Sequence, residues 1–144
     1  VFTGMEPYDK VPAYLSAADA FVTASVTEVH PLSVIEAMAA GLPVLGIQSP
    51  GVGDTVQDGR NGLLVAEEDV AAFTAKLVRM VIDRDARLQM GAQARQDSEA
   101  YSIERTTQIM LGHYRSVITQ AANRKRGLRV RLRRWLDWLD RLDR

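Results

Sequence analysis

The chain contains no cysteine. That excludes a disulfide framework and any thiolate-based metal or redox chemistry. Histidine is scarce, with only His30 and His113, so no zinc site is expected. No apolar run approaches the roughly 20 residues that a membrane-spanning helix needs. There is no internal repeat and no low-complexity stretch. What is present is ordinary: 144 residues, 47% hydrophobic and 25% charged, enough for one domain with a core. The sequence opens on Val1, within an apparent strand, and shows no signal peptide.

Short apolar runs alternate with helical patterns. The expected order is a strand near 1–4, a helix over 11–18, strands at 20–24 and 43–47 around a helix at 32–40, and a strand at 62–65. Helices are expected near 70–83 and 84–98, and then from Ser102 to about Asn123. Such alternation predicts an α/β fold with a parallel sheet flanked by helices. Asp69 suits the cap of the 70–83 helix, whose apolar face would use Val70, Phe73, Leu77 and Met80 or Val81. Met90, Tyr101, Met110 and Tyr114 are expected in the core or in an interdomain contact. Asp58-Gly59 and Asn61-Gly62 read as structural turns. Ser49 to Gly53 is a glycine-rich loop that either approaches a ligand or merely turns.

The segment from Thr27 to Val44 carries the chemistry. Ser25 to His30 forms a loop at the carboxyl end of a strand, the place where open α/β sheets bind ligands. Pro31 suits a first helical position. The backbone N–H groups of Leu32, Ser33 and Val34 would then be free and, with the helix dipole, would form an anion site. Glu36 lies little more than a turn further on, and its side chain leans back toward the helix start. A carboxylate repels a phosphate, so Glu36 is better placed to accept from hydroxyls beside it. Glu28 could do the same on the other side. A ligand ordered hydroxyl, phosphate, hydroxyl fits, and a nucleoside diphosphate sugar has that order. The alternative is that both glutamates are merely solvated; the apolar neighbours of Glu36 argue against it there.

These residues resemble the donor-binding half of GT-B glycosyltransferases of the retaining family 4. The likeness rests on two glutamates with seven residues between them, followed by Ala37-Met38-Ala39-Ala40-Gly41-Leu42-Pro43-Val44. Val1 to Gly4, Val11 to Asp19, Gly53 to Val65 and Tyr101 to Tyr114 add family-like flanks in the right order. The resemblance spans about residues 1–118. It implies a Rossmann-like C-terminal domain of a GT-B fold over 1–123, incomplete at its N-terminus. It further implies that Glu36 holds the ribose and that Glu28 contacts the transferred sugar. Amides and side chains at His30, Pro31, Leu32 and Ser33 would bind sugar and diphosphate, with Glu28 and His30 as the catalytic candidates and no metal or cofactor. Val29-His30-Pro31 departs from the glycine-rich sequence usual after the first glutamate. That variant is similar to bacterial diacylglycerol glucosyltransferases.

The implied activity is transfer of a hexose, chiefly glucose from a uridine diphosphate sugar, to a lipid or glycan acceptor. The missing companion domain leads us to expect that this stretch is inactive alone. Two other readings stay open. One is a sugar-nucleotide epimerase or phosphorylase of the same fold; the other is a non-catalytic, membrane-tethered sugar-nucleotide module.

The net charge of zero hides a split. Residues 1–123 carry 9 Lys+Arg against 15 Asp+Glu, whereas residues 124–144 carry 9 against 3. Leu128, Leu132, Trp135, Leu139 and Leu142 recur at helical spacing among those arginines. Such a tail is expected to lie on an anionic membrane surface; packing on the companion domain or on a second subunit competes. Nucleic acid is not an expected partner. The expected location is cytoplasmic, with peripheral attachment at the inner face of the plasma membrane as a further option.

Overall fold

The computed structural model describes the backbone of residues 1–142 and the side chains as far as Arg124. Three parallel strands form one sheet in the order β1 (Phe21–Val22), β2 (Val44–Ile47), β3 (Gly62–Val65). The register pairs Phe21 with Val44 and Leu45 with Leu63. Both faces of a parallel sheet are covered, which is why β2 and β3 are buried at every position.

Alternation along the strands sorts the core into two halves. Val44 and Leu64 point to one face, where Val34 and Met38 of α2 (Leu32–Ala39) and Val52 of the one-turn α3 (Val52–Thr55) join them. Leu45, Leu63 and Val65 point to the other face and meet Met80, Phe73 and Leu77 of α4 (Val70–Ile82). The next helix, α5 (Arg84–Ser98), serves both halves, with Ala94 in the first and Met90 in the second.

Local chemistry explains the boundaries. Asp69 caps α4 by accepting from the Ala72 N–H (2.8 Å), and Asp83 caps α5 by accepting from Ala86 (3.0 Å). Gly41 ends α2 with φ of 83°, a conformation that a side chain would strain. The turn before β3 is fixed from two sides. Asp58 accepts from the Leu64 N–H (2.8 Å) and from Lys76 Nζ (2.9 Å). Asn61, fully buried, accepts from the Gln57 N–H (2.7 Å) and donates to Asp97 (2.9 Å). Asp97 also takes a two-pronged contact from Arg60 and a bond from Gln93. The Arg60 guanidinium leads, with the Gln93 and Asn61 donors, in holding the Asp97 carboxyl down to about 2. Both turn dipeptides are structural, as their composition indicates.

Several expectations need correction. Val1 to Gly4 is not a strand; among the described residues no strand pairs with it, and without a ladder extended backbone is only coil. The strand expected over 20–24 shrinks to Phe21–Val22, preceded by the short helix α1 (Val11–Ala17) and a 3₁₀ turn at Tyr8–Lys10. Val70 and Val81 are exposed, so α4 buries a narrower stripe than its sequence offers.

Residues Val1–Ser102 make one compact unit, and Ile103–Arg144 make a second. The second is built on α6 (Ile103–Leu142), a single helix of 40 residues, about 60 Å long at the usual rise. No break occurs at Asn123, because Asn123 to Arg126 contains neither glycine nor proline to stop a helix. Met110 and Tyr114, expected in the core or in an interdomain contact, are not in the core: they are exposed on α6, as are Val117 and Ile118. The basic and apolar face expected for residues 124–144 falls on side chains outside the described residues. Among the described residues no helix is long and apolar enough to cross a membrane.

Candidate functional site

The carboxyl ends of β1 and β2 carry two loops that lock together. Thr23 continues the ladder by donating to Leu45 O (2.9 Å), and its hydroxyl accepts from the Ser25 N–H (3.2 Å). The Ser49 hydroxyl, on the loop after β2, lies 3.4 Å from Ser25 O and 3.3 Å from Ile47 O. Gly51 then passes directly beneath Glu28. A Cβ at Gly51 would lie 2.0 Å from Glu28 O and 2.9 Å from Glu28 C. Its φ of 81° and ψ of −60° also suit only glycine. The glycine-rich loop therefore supports the acidic loop from below and turns at the same time.

Above that support, Glu28 is half-buried, Val29 and His30 are exposed, and Pro31 is fully buried. The side chains of Glu28, His30 and Ser33 make no hydrogen bond or ion pair among the described residues. All three therefore leave their polar atoms without a protein partner among the described residues. Burial of Pro31 fixes where α2 begins: Pro31 occupies the position just before the helix, and Leu32 is the first helical residue. The Leu32 N–H is not free, contrary to expectation. It donates to His30 O (2.9 Å) and closes the loop on itself. The ladder of α2 begins with Ile35 donating to Pro31 O (3.0 Å). The N–H groups of Ser33 and Val34 thus stand outside the helix ladder, and no side chain caps this end. The anion site is narrower by one donor than the sequence pattern suggested.

Glu36 lies on the second turn of α2, half-buried rather than enclosed. The helix is apolar on one side only: Val34, Ala37 and Met38 are buried, while Leu32 is exposed. Glu36 stands where two clefts meet. One, of about 340 Å³, is lined by Tyr8, Val11, Pro12 and Leu15. The other, of about 370 Å³, is lined by Ile35, Arg95, Ser98 and Tyr101. Tyr8 donates its hydroxyl proton to Glu36 Oε1. That bond, helped by the negative charge, raises the phenol above its ordinary value. Sequence reading missed this pairing, since 28 positions separate the partners and nothing local signals it.

The structure thus brings Glu28, His30, Ser33 and Glu36 to one region, the start of α2 at the carboxyl edge of the sheet. Two outward N–H groups are available there for a negative charge, with a carboxylate on the loop before them and another a turn beyond. Among the described residues no group of three or more His, Asp or Glu side chains could hold a metal.

Comparison with known proteins shows the family of the chain. Residues 1–97 match the family model described as Glycosyl transferases group 1. The sulfoquinovosyl transferase of Arabidopsis thaliana is 34% identical over 122 residues, covering 82% of this chain and 24% of that protein. The solved sucrose-phosphate synthase of Thermosynechococcus elongatus superposes with a TM-score of 0.76 at 30% identity, over 83% of this chain and 30% of that one. A Staphylococcus aureus TarM variant, solved in complex with UDP, superposes with a TM-score of 0.67 at 27% identity, over 72% of this chain and 21% of that one. The chain thus spans about a quarter of the length of the Arabidopsis relative. The parallel sheet, its helices and the family match agree with the C-terminal half of a GT-B fold, and the chain belongs to the group 1 glycosyl transferases.

Proposed function

We propose that this chain is the donor-binding half of a retaining glycosyltransferase that uses a uridine diphosphate hexose. One observation carries the reading. Two free N–H groups at the start of α2 lie between unpartnered Glu28 and half-buried Glu36, at the carboxyl edge of a parallel sheet. The Ser33 and Val34 amides hold the diphosphate and stabilise the charge that grows on it as the glycosidic bond breaks. Glu28 and His30 address the hydroxyls of the sugar, with Ser33 beside the phosphates. Glu36 accepts from the ribose hydroxyls. The departing phosphate, on the same face as the incoming acceptor, helps take the acceptor's proton, so configuration at the anomeric carbon is kept.

The companion domain supplies the acceptor site, and the acceptor is a lipid or a glycan. The UDP held by the TarM variant supports the choice of base. A tail carrying 9 Lys+Arg in 21 residues, 124–144, supports attachment to the cytoplasmic face of a membrane, where a lipid acceptor would lie.

Ligand-observed NMR against UDP- and GDP-sugars, run beside Glu36→Ala, tests the proposal. Saturation transfer to a UDP-hexose that disappears in the variant is the expected result. Equal transfer in both proteins, with unchanged folding, would overturn the assignment of Glu36. Epimerised free donor from the full-length protein would favour the epimerase reading instead.

A further inference from the structure

We propose that Tyr8 is a positioning residue for the donor: its phenol holds Glu36 by Oε1 and leaves Oε2 to accept the ribose hydroxyls. The inference rests on the donor-binding reading above. Glutamate at a helix surface has three rotatable bonds and would sample several directions. The hydroxyl of Tyr8 removes that freedom by donating to one oxygen. A carboxylate offers about four acceptor positions, so the remaining ones stay open to a ligand.

Tyr8 is itself well anchored for this purpose. It opens the 3₁₀ turn Tyr8–Lys10, which runs directly into α1, and the Lys10 N–H closes the turn on Pro7 O (3.0 Å). Its ring shares the cleft beside Glu36 with Val11, Pro12 and Leu15, yet the side chain is largely exposed. A large exposed aromatic has little to gain as a packing element, so the hydroxyl is what this placement serves. The hydrogen bond to Glu36, with the negative charge of that carboxylate, raises the phenol further and so favours the donating form. The phenol oxygen also retains lone pairs, so a sugar hydroxyl that donates to Glu36 can bridge to Tyr8. Pre-setting the acceptor in this way lowers the ordering cost at binding.

The test measures UDP affinity of the full-length protein by calorimetry for the unsubstituted form, Tyr8→Phe, Glu36→Ala and the double variant. 2′,3′-dideoxy-UDP serves as the second probe. Tyr8→Phe is expected to weaken UDP by about 3- to 10-fold, the range of one ordinary hydrogen bond. It should add nothing in the Glu36→Ala background and should leave the dideoxy nucleotide unaffected, because that ligand presents no hydroxyls to Glu36. Unchanged or tighter UDP binding by Tyr8→Phe, with Glu36→Ala still weak, would overturn the inference and leave the donor site standing. An equal loss for both nucleotides would also overturn it, by placing the action of Tyr8 elsewhere. If Glu36→Ala too binds UDP normally, or if the unsubstituted protein does not bind UDP, the donor reading fails and this inference falls with it.

Discussion

Gly51→Ala separates support of the site from general stability. The backbone of Gly51 has φ 81° and ψ −60°, a region that costs an L-residue about 1–3 kcal/mol. The new Cβ would also lie 2.0 Å from Glu28 O, where ordinary contact begins near 3.4 Å. Both atoms that collide are fixed to backbone, so no side chain can swing clear, and the two loops must part by about 1.4 Å. If the strain alone costs about 2 kcal/mol, a domain of this size should lose about 8–16 °C in melting temperature. Displacement of the Glu28 loop should separately weaken a UDP-hexose by at least about tenfold, since errors near 1 Å are felt strongly in such sites. Gly59→Ala is the matched control. Gly59 has φ 77° with nothing within 4 Å of its Cβ, so it carries the backbone strain without the collision. It should lose stability and keep donor affinity. Scanning calorimetry and donor titration on both variants decide the matter. A Gly51→Ala protein that melts within about 2 °C of the parent and binds donor normally would refute the claim that the two loops are locked. Equal behaviour of the two variants would show that the collision has no consequence for the site.

Two further outcomes follow from other parts of the molecule. The Asp97 carboxyl is lowered to about 2 from 3.8, so its contribution is full above the higher value and fades as pH falls toward the lower one. The stability difference between the parent and Asp97→Asn, measured by urea melts, should therefore be constant above about pH 5 and shrink below about pH 4; a difference that does not change down to about pH 2 would place the stabilisation elsewhere. Deleting residues 124–144 removes 9 Lys+Arg, each worth about 1 kcal/mol near an anionic surface. Co-sedimentation with phosphatidylserine-containing liposomes should fall by at least about tenfold; undiminished binding would sink the membrane role.

Where local chemistry decides structure, the sequence could be read directly. The buried run of β3, the proline before α2, the glycine after it and the aspartate that caps α4 all stand within a residue or so of their expected places. Each depends on neighbours only a few positions away: a fixed φ, a missing Cβ, a side-chain acceptor three residues before its donor. The same is true of the acidic loop, because a strand end followed by a proline-started helix is a local pattern. The family likeness follows from these local features as well, since spacing is all it needs.

Only the tertiary structure could decide the rest, because it depends on who meets whom. Val1 to Gly4 has the composition of a strand but no neighbour to pair with, so it is coil. Met110 and Tyr114 have core-like side chains but lie exposed on α6, and hydrophobicity alone does not say what will cover a face. The Leu32 amide, free by any helix rule, is taken by His30 O, a detail of how the loop closes. The contact of Gly51 with Glu28 and the bond of Tyr8 to Glu36 cross 23 and 28 positions of sequence. The first arises because parallel strands bring the loops after β1 and β2 to one edge, the second because the turn before α1 meets α2. The sequence by itself determined which residues can accept a hydroxyl or present an N–H. Folding determined which of them are left unpartnered, and a binding site consists of the groups that folding leaves free.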